Sequence, residues 1–416
     1  MKNLGMILFG ALAIVMAGCS KNAAPDQPSA PLENAWMFDE SLPVPVQFGM
    51  STGVGLQSTK TMINTWSDLD YRLGIFALNL DGDEGLESGS FDVYLDNEPA
   101  DCVYDESRGK DMIKFDENKY YPYASDKMHL SFFGYYPYFN GNTPEYYEDS
   151  IRIEIPAEEW GKHDILCASS FADTMFVKKD AQLGYYVPVL KDEATHFYRG
   201  YNATYMRFLN RNGLYEEKMP NLVFKHKTTC FVFDAYLTGV PTDKVTDFDQ
   251  IPIIQSIEIS GMPIYESAYL TVAKKDIENK SEWSGTLSVA GSGNGTLKLG
   301  GKNARDLNST PDPETLKYNL PDNQFFLQPM DATNELTIKV TLENPYNKQR
   351  EVYEAKFPAI PEEVKMFEEG KYYPFKITIN YFAGVEISAS LDPWKNGWTE
   401  GTENDNIGED APSGSL

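Results

Sequence analysis

Residues able to do chemistry are scattered through this chain rather than grouped. Gly49-Met50-Ser51-Thr52-Gly53 fits the G-x-S-x-G pattern of a nucleophile elbow. Such an elbow needs a strand, a sharp turn and then a helix, and here a turn-rich stretch follows instead. The histidines are His129, His163, His196 and His226, and no two stand at helical ligand spacing. His129 lies in an apolar run and His226 lies between Lys225 and Lys227, so both read as ordinary core or surface side chains. Asp81-Gly82-Asp83-Glu84-Gly85-Leu86-Glu87 supplies only the first two acids of a calcium loop. The rest of that ligand pattern, including its late glutamate, is missing, which predicts a solvated hairpin turn. Gly300-Gly301-Lys302-Asn303 lacks the spacing and the hydroxyl of a phosphate loop. Beyond Cys19, the cysteines are Cys102, Cys167 and Cys230. An odd count without CxxC spacing argues against a disulfide framework or a zinc site. They are expected to be small buried hydrophobes with at most one bridge. No acid–base or nucleophile set can be assembled, so the expectation is a protein without catalysis, metal or cofactor.

The one modification site the sequence marks is at the start. Lys2 is followed by an apolar run, Ile7 to Val15, that is too short to span a bilayer. It ends in Val15-Met16-Ala17-Gly18-Cys19-Ser20. Small residues before a cysteine match the bacterial lipobox, in which the cysteine is lipidated and becomes the new N-terminus. Residues 1–18 therefore read as a lipoprotein signal peptide and Cys19 as the lipid anchor. Ala, Pro, Ser and Asn dominate the stretch that follows, and 19–40 is expected to be a flexible tether. The folded part is expected outside the inner membrane.

Composition narrows the partners. The chain has 416 residues and a formal net charge of −26, which becomes −27 when Lys2 leaves with the signal. Such a surface repels nucleic acid phosphates and anionic headgroups. The length exceeds what one hydrophobic core usually supports, so two domains are expected.

The elements predicted throughout are strands. Val44, Val46 and Phe48 alternate with other residues, which marks one buried face. Pro43 and Pro45 remove two ladder donors, placing this strand at a sheet edge or pairing it on one side. Leu73 to Leu78 reads as a buried strand. Met128, Leu130 and Phe132 alternate, as do Phe231, Phe233, Ala235 and Leu237, and Leu336, Ile338, Val340 and Leu342. Leu287-Ser288-Val289 and Leu297-Lys298-Leu299 flank a Gly-rich stretch and predict a hairpin. Phe375, Ile377, Ile379 and Tyr381, then Val385, Ile387, Ala389 and Leu391, predict another around Phe382-Ala383-Gly384. Helical periodicity is scarce, with one short helix expected near 362–369. The aromatic clusters around Tyr120 and Phe132–Phe139 read as core strands with Tyr tips at a polar rim. The boundaries expected are 41–215 and 216–398 for the two domains, and 399–416 for a disordered acidic tail.

Taken in order, these features resemble the fimbrillin-like family of Bacteroides-type bacteria, the subunits of type V pili. The resemblance is carried by the lipobox, by Val44-Pro45-Val46-Gln47-Phe48, and by Trp66-Ser67-Asp68 leading to Leu73-Gly74-Ile75-Phe76. It continues through Lys119-Tyr120-Tyr121-Pro122, Leu130 to Tyr138, Asp164-Ile165-Leu166-Cys167-Ala168 and Leu222-Val223-Phe224-Lys225-His226-Lys227. Gly370 to Phe375 and Trp394-Lys395-Asn396-Gly397 complete it. No single motif is specific; order and spacing carry the likeness.

The resemblance implies an all-β chain of two β-sandwich-like (transthyretin-like) domains with few short helices. It also implies a lipoprotein on the outer membrane surface, where a trypsin-like protease removes the first strand and a neighbouring subunit's strand takes its place. Here the removable strand would carry Val44, Val46 and Phe48, and the cut would follow Lys60, the first basic residue after it. The tail lacks the alternating apolar residues of a donor strand, which points to an accessory tip or anchor subunit supporting adhesion, or to a donor strand other than the tail. Its partners would be other pilus subunits, the outer membrane through Cys19, and a host or bacterial surface ligand, with no nucleic acid. The rival reading is a surface glycan-binding lipoprotein of a nutrient-uptake system, stacking sugars on exposed Trp and Tyr, with Trp66, Trp160, Trp283 and Trp394 as its platform tryptophans.

Overall fold

Continuous apolar runs become central strands, because only a strand covered on both faces hides every side chain. In the computed structural model, described over residues 35–37, 39–49, 71–79, 92–239 and 252–389 with short interruptions in the last two, the run at Leu73 shows this. Strand β2 (Leu73–Asn79) is buried at every residue. It lies between β3 (Asp92–Asp105) and β5 (Leu130–Tyr136), antiparallel to both. β5 is equally buried. Gly74 allows the close fit of this pair, since a Cβ there would stand 2.1 Å from the Tyr135 ring.

These strands belong to a seven-stranded sheet. Its order is β1 (Phe48–Gly49), β4 (Lys110–Phe115), β3, β2, β5, Leu166–Ser170 and Lys225–His226. One face meets a four-stranded sheet built around Ser150–Ile155 and Ser267–Lys274. Phe76, Leu78, Phe133 and Tyr135 from the first sheet share a core with Ile151, Ile153, Leu270 and Val272 from the second. The other face of β5 carries Phe132 toward the first strand.

A second sandwich follows. Thr229–Thr238 pairs in parallel with Tyr372–Asn380, and Phe233 faces Phe375 in that register. A four-stranded sheet around Ile253–Ile264 and Thr337–Glu343 supplies the opposing layer. Phe231, Phe233, Ala235 and Leu237 are buried with Ile257, Ile259, Ile338, Val340, Ile377 and Ile379 in one cluster. Every described member of those three alternating runs therefore faces the core.

The fold is all-β with few short helices. A compact unit begins at Pro43, and a short 3-10 turn, Ala35–Met37, precedes it. Strands from both sides of residue 215 pair within that unit, because Ser150–Ile155 joins Ser267–Lys274 and Leu166–Ser170 joins Lys225–His226.

Three local expectations differ from what forms. Thr286–Ala290 and Gly293–Leu299 do not make a hairpin; the first pairs with Ser267–Lys274 and the second with Ile253–Ile264. Two helices, α1 (Ala203–Arg211) and α2 (Tyr215–Lys218), form around the expected domain boundary at 215–216, where no helix is expected. Asn202 caps α1 by accepting the Tyr205 N–H at 2.8 Å, and Tyr205, Met206, Phe208 and Leu209 form its buried stripe. Near the expected helix at 362–369, Met366–Phe367 is instead a strand paired with Met330–Asp331. The hairpin at 372–389 forms, with Asn380 opposite Gly384.

Candidate functional site

The first segment of the compact unit lies in a slot. Alternation puts Val44, Val46 and Phe48 on one face, and these are 1 %, 6 % and 0 % exposed. Phe48 meets Phe132 edge-on at 4.7 Å between ring centroids and Phe115 at 6.0 Å. Tyr121 and Tyr201 extend this aromatic wall around Phe132. One dominant ring in an aromatic pocket is a side-chain anchor, worth more than the short ladder beside it.

Backbone bonds hold the segment on two sides. Toward β4 and its continuation, Val46 N–H donates to the Lys119 carbonyl at 2.7 Å, and Tyr121 N–H donates to the Val44 carbonyl at 2.9 Å. Phe48 pairs with Ile113 and Gly49 with Met112. On the opposite side, Gly49 N–H donates to the Pro220 carbonyl at 2.9 Å, and Leu222 N–H donates to the Gly49 carbonyl at 3.2 Å. Gly49 thus links one end of the sheet order to the stretch entering its other end, the strand Lys225–His226. The prolines fit this arrangement: Pro45 sits at an isolated bridge to Tyr120, and neither Pro43 nor Pro45 has an N–H to leave unpaired.

Polar groups lie beneath the segment as well. Tyr215 donates its hydroxyl to Gln47 Oε1 at 2.9 Å. The Tyr121 hydroxyl is buried with no hydrogen-bond partner among the described residues, and its burial pushes the phenol pKa well up. A buried hydroxyl without a partner costs about 1–3 kcal/mol. The slot is therefore filled but not perfectly satisfied.

The other residues singled out from sequence do not gather around this slot as a reaction centre. His163 is bonded to Glu159 at 2.8 Å, and His226 to Asp164 at 2.5 Å. Among the described residues, no group of three or more His, Cys, Asp or Glu side chains is placed to hold a metal. None of their helices is long and apolar enough to cross a membrane. Trp160 and Trp283 are partly buried against the first core. Cys19, Lys60, Trp66, Trp394, residues 50–53 of the G-x-S-x-G stretch, the 81–87 loop and 300–303 lie outside the described residues.

Cys102, Cys167 and Cys230 are unbridged. Burial pushes the Cys167 thiol up to about 12 and raises that of Cys230 and half-buried Cys102. The thiolate is the reactive form, and a raised pKa keeps these groups neutral at pH 8. The expected outcome of iodoacetamide labelling at pH 8 is no modification of Cys167 or Cys230 until denaturant is added. Rapid native labelling of either would contradict this burial.

No protein-family model and no curated protein matches the chain. Solved structures do resemble it. One, from Bacteroides ovatus ATCC 8483, is provisionally named a cell adhesion protein. It is 14 % identical over 85 % of this chain and 98 % of its own, with a TM-score of 0.42. Another so named, from Bacteroides fragilis NCTC 9343, is 11 % identical over 87 % and 99 %, with a TM-score of 0.35. A fimbrial protein from Bacteroides ovatus ATCC 8483 is 12 % identical over 82 % of this chain and 51 % of its own, with a TM-score of 0.25.

Proposed function

We propose that the chain is a non-enzymatic, surface-exposed outer-membrane lipoprotein, a fimbrillin-like accessory pilus subunit that assembles by strand exchange and supports adhesion. The observation that carries this reading is the seating of residues 44–49. Side chains rather than a long ladder hold this strand, since only Phe48–Gly49 forms a regular strand. An apolar slot flanked by unpaired backbone groups accepts any chain with alternate apolar residues and matching carbonyls. Vacating the slot exposes Phe132 and Phe115 to water, which drives its refilling. The lipid on Cys19 anchors the precursor, and cleavage after Lys60 frees the strand in a subunit that is processed.

The glycan-uptake reading draws on exposed Trp and Tyr; Trp160 and Trp283 are partly buried against the first core, which weakens its tryptophan platform.

Mass spectrometry of N-termini on cell-surface material tests the role. A terminus at Thr61 is expected for a processed subunit and an intact lipidated Cys19 for an anchor. Exchange itself is tested by clipping the chain with trypsin, removing the segment before Leu73, and adding a synthetic Val44–Gly49 peptide. Uptake with recovery of thermal stability is expected. A stripped, folded chain that ignores the peptide would sink the strand-exchange account.

A further inference from the structure

Beside the first strand lies an open hollow of about 520 Å3, which falls within the volume of small-molecule sites. Its lining is mainly polar. Ser169 and Ser170 end one strand, Phe171 and Asp173 follow, and Lys218, Asn221 and Lys280 close the other sides. We propose that this hollow binds an uncharged saccharide, and that Gly49 of the seated first strand holds its floor in place. The inference rests on the adhesive reading above and names its ligand class.

The chemistry favours a sugar for three reasons. First, Lys218 Nζ stands 3.0 Å from Asp173 Oδ2, so a donor and an acceptor sit side by side, the spacing that neighbouring ring hydroxyls can bridge. Both side chains reach solvent, at 32 % and 64 % exposure. Second, charge is balanced, with Asp173 and Glu217 against Lys218 and Lys280. A balanced site exerts no net pull on an anion or a cation, and the acidic chain as a whole repels anionic polymers. Third, the half-buried Phe171 ring, edge-on to Phe133 at 5.5 Å and with Lys280 Nζ over it at 5.6 Å from its centroid, adds an apolar edge to the lining for the C–H side of a pyranose. A lipid tail or an apolar peptide would leave the polar lining unsatisfied.

The floor is fixed by a chain of bonds that begins at the strand. Gly49 bonds the backbone on both sides of Asn221, through Pro220 and Leu222. Asn221 N–H in turn donates to Ser170 Oγ at 3.0 Å, and Ser170 Oγ lies 3.0 Å from the Tyr201 hydroxyl. Burial pushes the Tyr201 phenol up to about 12, so it stays protonated and neutral at working pH. Loss of the strand removes both bonds that bracket Asn221. An incoming strand restores them through its backbone, whatever its side chains. Saccharide binding thereby reports whether the slot is full.

The test uses the folded chain on a printed panel of neutral and sialylated oligosaccharides. Binding to at least one neutral probe is expected, with a loss of about tenfold or more in Asp173→Ala and in Lys218→Ala. Removing the strand should abolish it, and the Val44–Gly49 peptide should restore it. Binding of sialylated probes alone, no binding at all, or indifference to both substitutions would overturn the saccharide assignment. Unchanged binding after strand removal would overturn the coupling. If the peptide enters the slot but no neutral probe binds, this inference fails and the strand-exchange reading stands. If neutral probes bind but the peptide is refused, the reverse holds.

Discussion

Replacing Phe48 by alanine is expected to lower stability by about 3–5 kcal/mol, the range for large-to-small changes at a closed aromatic site. The ring is fully buried and touches Phe132 and Phe115. Its removal loses the transfer free energy of the ring and leaves a void between partners fixed on β5 and β4, which cannot close in. The backbone offers little compensation, because the regular ladder beside the segment is confined to Phe48–Gly49, with the Val46 and Gly49 amides bonded outside it. The substitution should therefore also speed release of the segment. Equilibrium urea unfolding gives the stability change, and hydrogen exchange at the Val46 and Gly49 amides gives the release. A loss under about 1 kcal/mol would mean that the slot collapses around the gap. In that case the segment would not be an anchored plug, and its replacement by another chain would lose its driving force.

How much of this was legible beforehand follows from what periodicity reports. Alternation states that a face is buried, and it is right at Phe231, Phe233, Ile338, Val340, Ile377 and Ile379 because those strands have one core to face. It does not say which sheet a strand joins. Thr286–Ala290 and Gly293–Leu299 alternate on either side of glycines and look like a hairpin, yet they serve different sheets. Helix α1 is hidden in the sequence because Asn202, Arg207 and Asn210 make its stretch polar. Its signal was the Asn202 cap and the apolar spacing of Tyr205, Met206, Phe208 and Leu209. At the slot, the occupant was legible in Val44, Val46 and Phe48, and the prolines indicated an edge strand, which β1 is in the sheet order. The far wall was not legible, since Gly49 meets residues 220–222 about 170 positions later, and no local pattern encodes so distant a partner.

The second large effect is expected at Asp164, where a buried acid stitches the two halves of the sequence. Asp164 is buried and has two partners: Oδ2 lies 2.5 Å from His226 Nδ1, and Oδ1 accepts the Thr228 hydroxyl at 2.8 Å. His226 and Thr228 are also buried. Around this point the backbone crosses from one half to the other, with Lys227 N–H donating to the Ile165 carbonyl at 2.7 Å and Lys225 paired to Cys167. Asp164→Ala deprives both partners at once in a site without water access, and each orphaned group costs about 1–3 kcal/mol. A loss of about 3 kcal/mol or more is the expected result in urea unfolding. Asp164→Asn keeps one acceptor oxygen and the side-chain shape, so it should lose clearly less. A double-mutant cycle with Thr228→Val isolates the coupling, which should exceed about 0.5 kcal/mol for groups in one network. Equal losses for the alanine and asparagine variants, with no coupling to Thr228, would show that Asp164 fills space rather than ties the sheet. In that event the edge strand Lys225–His226 would be held by its own short ladder, too little to keep residues 220–222 in place against Gly49.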